Sequence, residues 1–239
     1  HKHAVEYYKA IIPALVASCF SYVMFALIIH LGIGATWDLK AYHYSGVYDF
    51  IYAFLFGVVA TVFGWIFIFV VKFFKKVFEY RSFPIYIKTL VGGIILGIIA
   101  YNFPITRYFG HHEINELING GFALNFLIVI LVFKIIAIAV TVTSGWRGGF
   151  IIPLFFVGTT LGLIIHQLFP SVDTTLAIVS CMAAINACVT RTPMSTTIIL
   201  GTLTGFTYFV PILFASLTGY FLAPKIPFIG SQSEKLSEE

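Results

Sequence analysis

The residues with the most to offer chemically run Ser144-Gly145-Trp146-Arg147-Gly148-Gly149-Phe150-Ile151-Ile152-Pro153, then Leu154-Phe155-Phe156-Val157-Gly158-Thr159-Thr160-Leu161-Gly162. A glycine-rich turn here feeds an apolar segment whose spacing predicts a helix beginning near Phe150. Pro153 falls in its first turn, where a missing N–H is no loss. The main-chain N–H groups of Phe150, Ile151 and Ile152 would emerge from that helix start without intrahelical partners, at the positive end of the helix dipole. Such an end can hold an anion with no charged side chain. Neutrality suits passage. A lysine or arginine at mid-membrane would grip an anion too firmly, whereas peptide dipoles hold it weakly enough to let go.

The other reactive residue types make no comparable pattern. His111-His112-Glu113 matches no zinc spacing and reads as a solvated loop or short surface helix. Cys19, Cys181 and Cys188 lie in apolar stretches without a Cys-x-x-Cys pair and read as buried free thiols. His30 and His166 sit near span ends. Asp38, Asp49 and Asp173 fall at interfaces, and every glutamate lies at a span end, in a loop or in the tail. These residues predict no enzyme, no metal and no cofactor. The formal net charge of +4 comes from basic residues scattered beside apolar segments, which excludes a nucleic-acid-binding stripe.

The elements that must position the anion site are membrane helices. Of the 239 residues 59% are hydrophobic and 10% charged, with a mean hydropathy of +0.98. A soluble domain carries about 25% charged residues, so this chain must meet lipid. Ala10–Trp37 holds no Asp, Glu, Lys or Arg, and its first part reads as a span with Pro13 in an early turn. Trp37, Tyr42, Tyr44 and Tyr48 read as interfacial aromatics. A long, tilted helix is predicted from about Ser45 to Glu79. Lys72, Lys75 and Lys76 mark its cytoplasmic end. Thr89–Pro104 follows, with Gly93 and Gly97 on one face for a close neighbour. Phe122–Thr143 is the next span, in which Lys134 reads as snorkelling or bonding to a main-chain carbonyl, with a substrate contact as the alternative. Phe150–Phe169, Thr174–Val189 (capped by Asp173), Met194–Gly205 and Thr207–Ala223 are short or interrupted by Gly and Pro. Repeated broken helices of this kind point to a transporter's binding site.

Ser144–Gly162 resembles the stretch of CLC chloride channels and anion/proton antiporters that carries their Gly-x-Phe-x-Pro motif and a following Gly-Thr/Ala-x-x-Gly pattern. Lys134 sits where that family often has a basic residue, Asn186–Ser195 resembles its later pair of short helices, and Pro211 fits the next one. The resemblance implies an all-α, polytopic fold of tilted, broken and partly spanning helices. It implies a transmembrane domain over 1–230, with a polar tail over 231–239, in a multi-pass protein of the plasma or cytoplasmic membrane. The function it implies is transport of chloride or fluoride across the bilayer by a homodimer, with Ala10–Ile29 and Ser195–Leu222 at the subunit interface. Gly149, Phe150 and Ile151 are its expected anion-binding residues through their amides, and Arg147, Thr159 and Phe228 its pore-lining candidates. Phenylalanine stands second rather than third in the motif, and Pro227-Phe228-Ile229 replaces the family's last-helix tyrosine, which leaves room for fluoride selectivity. The chain corresponds to the family's C-terminal half, and its opening at His1 predicts that gating and proton-transfer residues lie upstream. A non-transporting subunit or degenerate half-transporter is the alternative.

Overall fold

The polypeptide in this computed structural model is described at residues 2–29, 35–37, 39–40, 46–80, 84–146, 148–226 and 228, and all of its regular structure there is helical. Apolar segments in lipid must satisfy their peptide groups internally, and helices do so within one segment. The order is α1 (Lys2–Ile29), α2 (Val47–Tyr80), α3 (Ile85–Asn102), a 3-10 turn (Pro104–Thr106), α4 (His111–Asn119), α5 (Leu124–Thr143), α6 (Ile151–Leu168), α7 (Thr174–Thr190), α8 (Pro193–Thr204), a second 3-10 turn (Phe206–Tyr208) and α9 (Phe209–Phe221). The chain divides into two compact units, His1–Ala35 and Thr36–Glu239. The first consists of α1, where Pro13 lies inside the helix rather than near its start, because the helix begins at Lys2.

In the second unit α2 has 34 residues. At about 1.5 Å per residue it is longer than a hydrocarbon core of about 30 Å needs. Among the described residues four helices are long and apolar enough to cross a membrane: Val47–Glu79, Ile85–Asn102, Leu124–Thr143 and Ile151–Leu168. The last was expected to be interrupted by Pro153, Gly158 and Gly162, yet it runs unbroken for 18 residues. Its glycines are contact points. A Cβ on Gly158 would fall on the Met182 backbone, and one on Gly162 would lie 2.5 Å from the Ile178 Cα. The same logic corrects the reading of α3: a Cβ on Gly97 would meet nothing within 4 Å, while Gly92 takes the close neighbour, Ser144.

The centre of this unit is α7. Every residue from Thr175 to Val189 is buried, and the helix packs against α6, α2 and α9. Its start is fixed by Asp173, whose Oδ1 accepts from the Leu176 N–H at 2.9 Å. Its end turns at Arg191, whose φ of 58° lies in the left-handed region and whose guanidinium donates to the Pro224 carbonyl. Trp37, expected at an interface, is instead buried. It sits edge-on to Phe155 at 5.8 Å and donates its indole N–H to the His111 carbonyl at 3.1 Å. Pairing that N–H inside the protein removes the need for water.

Candidate anion site

The site is built at the junction of α5 and α6. The last turn of α5 closes with the Ser144 N–H donating to the Val140 carbonyl at 2.9 Å. Gly145 then adopts φ of 93°, a conformation that suits glycine, and the chain reverses. The reversal is pinned to α3. The Thr89 hydroxyl donates to the Ser144 carbonyl at 3.2 Å, and the Trp146 indole donates to the Thr89 carbonyl at 3.1 Å. Gly148 and Gly149 are exposed, and a Cβ on Gly149 would meet nothing within 4 Å, so the approach to the following helix is open.

Phe150 is the N-cap of α6 and supplies no side-chain cap. The first intrahelical donor is Leu154, to the Phe150 carbonyl at 3.0 Å. The N–H groups of Ile151 and Ile152 donate to none of the described residues, and Pro153 has no N–H to offer. Contrast α7, where the Asp173 side chain accepts from the Leu176 N–H. The mouth of α6 therefore presents uncommitted donors at the positive end of its dipole.

That mouth borders a cavity of about 1170 Å³. Gly148, Gly149, Ile151 and Ile152 form one wall, and Leu96 and Ile99 of α3 another. The segment Thr106–Phe109 and Lys134 of α5 complete it on the far side. The walls are mostly hydrocarbon, so the peptide dipoles and the lysine act in surroundings of low polarity, where electrostatic interactions are strengthened.

The residues expected at the site are placed differently from one another. Gly149 and Ile151 line the cavity, and Ile151 is 37% exposed. Phe150 is half-buried. Its ring meets that of Phe228 edge-on at 5.1 Å, and Phe228 also packs on Phe67 at 5.5 Å. Thr159 is fully buried within α6, where its hydroxyl donates to the Phe155 carbonyl at 3.0 Å, away from the cavity. Arg147 lies outside the described residues, as does the tail over 231–239. Sequence reasoning missed Trp146 as a lining residue, although it stands inside the motif, and the Thr106–Phe109 wall, which carries no sequence signal. Lys134 bonds to main-chain carbonyls as expected: its Nζ donates to Thr106 at 3.0 Å and Tyr108 at 3.2 Å. Among the described residues no three His, Cys, Asp or Glu side chains converge as metal ligands would.

Apolar spans around a buried, unbroken α7, with an uncapped helix start opening on a cavity, define a multi-pass integral membrane protein. The chain belongs to the voltage-gated chloride channel family, whose pattern it matches over residues 5–224. An uncharacterized protein of Methanocaldococcus jannaschii is 27% identical over 213 residues, covering 89% of this chain and 53% of that protein. YfeO of Escherichia coli, described as a candidate ion-transport protein, is 34% identical over 103 residues, covering 42% of this chain and 25% of YfeO. Two solved structures share the fold at 18% identity. A CLC-type fluoride/proton antiporter aligns with a TM-score of 0.67 over 81% of this chain and 48% of its own. A slow cyanobacterial Cl⁻/H⁺ antiporter aligns with a TM-score of 0.66 over 87% of this chain and 51% of its own. The chain thus spans about half the length of the archaeal relative and of both structures.

Proposed function

We propose that this chain forms part of a pathway that carries a small anion, chloride or fluoride, across the membrane, as a channel or in exchange for protons, and that it is not an enzyme. One observation carries the reading: Ile151 and Ile152, whose N–H groups are unclaimed by the described residues, line a cavity large enough to admit an anion. Membership of a family described by chloride conduction supports it, as do two antiporters of the same fold. Gly149, Phe150 and Ile151 are the proposed binding residues. Gly149 offers an open approach, and Phe150 and Ile151 offer main-chain donors. The anion rests there because peptide dipoles replace part of its hydration, and it leaves because none of them carries a full charge.

The working unit in this proposal is a homodimer. Met194, Ile198, Phe206 and Phe221 on α8, α9 and the turn between them expose apolar surface suited either to a second copy or to lipid. The test is anion efflux from liposomes holding the complete protein, with chloride and fluoride compared and a proton gradient present or absent. Anion-selective flux is expected. Ile151→Pro removes one donor at a helical position that tolerates proline; it should cut that flux about tenfold or more, the weight of one preorganised donor. Undiminished flux from the folded variant would sink the site assignment.

A further inference from the structure

Lys134 is the only buried cation among the residues whose side chains are described, at 1% exposure. It stands in the middle of an apolar span, on the wall of the cavity that the α6 mouth borders. Its partners are neutral. The ammonium donates to the carbonyls of Thr106 and Tyr108, with the Arg107 carbonyl at 3.5 Å, and lies 4.5 Å from the centre of the Phe156 ring. Gly110, at φ of 94°, leaves the space for this arrangement: a Cβ there would sit 3.1 Å from Phe156 and 3.4 Å from the Lys134 Nζ. No described carboxylate pairs with the ammonium, and Glu113 on α4 attracts it only from beyond ion-pair range.

Neutral donors could brace the Thr106–Tyr108 turn as well as an ammonium does, and without the cost of burying a charge. A full charge kept in the interior with only dipoles and a ring for company acts on whatever enters the cavity beside it. We infer that Lys134 is a positioning residue for anions, a fixed positive charge that raises their occupancy at the α6 mouth without touching them. This rests on the anion-site reading and deepens it. Carbonyl bonds occupy the ammonium's donors and hold it back from the anion, so its field acts over distance and does not become a trap.

The test uses three variants of the complete protein, reconstituted in liposomes, with flux measured against chloride or fluoride concentration and halide binding measured by calorimetry. Lys134→Arg keeps the charge, Lys134→Gln keeps amide donors but loses the charge, and Lys134→Met loses both. The expected result is a roughly tenfold rise in the half-saturating anion concentration, with matching loss of binding, for Gln and Met alike, the scale of one unit charge acting through a protein interior. Arg should stay near the parent protein. A Gln variant that behaves like the parent while Met fails would show a brace and overturn the inference, as would unchanged affinity in both. If Met does not fold, the Gln and Arg pair still decides. Absence of anion flux from the parent protein would instead strike the anion-site reading itself.

Discussion

At the α6–α7 crossing, single hydrogen atoms decide how closely two backbones approach. Gly158 and Gly162 stand against Met182 and Ile178 with no room for a β-carbon, whereas Gly97 faces open space. Gly158→Leu must therefore separate two buried helices. An overpacked core costs about 1–3 kcal/mol or more, so its thermal unfolding in detergent should fall several degrees below that of the parent. Gly97→Ala should be neutral or stabilising by up to about 1 kcal/mol, because alanine favours helix over glycine. Equal melting of the two variants would contradict the packing. The sequence shows a glycine but not its neighbour. For that reason Gly93 and Gly97, with the regular spacing, drew the contact that the fold assigns to Gly92.

At the level of elements, the turn between α5 and α6 aims the proposed anion donors. Gly145 holds a positive φ, and a Cβ there would collide with the Ile85 side chain. Gly145→Ala should strain the backbone by about 1–3 kcal/mol and shift the α6 mouth off its α3 tether. Flux should fall more than thermal stability does; a variant with full flux would show that the turn does not orient the site. The helix pattern was readable because apolar length and Gly/Pro punctuation are local signals. The long helix expected over Ser45–Glu79 forms over Val47–Tyr80, and the cap expected at Asp173 is made. Likewise the α6 start was legible at Phe150 from Pro153 and the double glycine. The opposite cavity wall was not. Thr106–Phe109 reaches the site through tertiary placement, held by Lys134, and nothing in its own residues announces that. Trp37 was misread because an indole between polar residues looks interfacial until its partners, His111 and Phe155, are known.

For the whole molecule, orientation follows from where α2 carries its charge. Lys72, Lys75 and Lys76 are exposed at its end, and among the described residues only Lys75 has an ion-pair partner there, Glu79 at 3.9 Å. A basic helix end is retained on the cytoplasmic side. Lys76→Cys, placed in a background without other cysteines, should react with a membrane-impermeant maleimide only when the reagent reaches the cytoplasmic face. Labelling from the opposite face would invert the topology and with it the direction in which the α6 mouth opens.

The enclosure of α7 bears on how the protein is made. Its 17 residues extend about 25 Å at helical rise, and no side from Thr175 to Val189 is left for a fatty-acyl chain to touch. Ser180 and Asn186 within it would be poor company for bare hydrocarbon. Such a segment gains little by partitioning into the bilayer alone. It has to be received between α6, α2 and α9, so a nascent chain ending just after Thr190 would leave α7 stranded until α9 emerges to close over it.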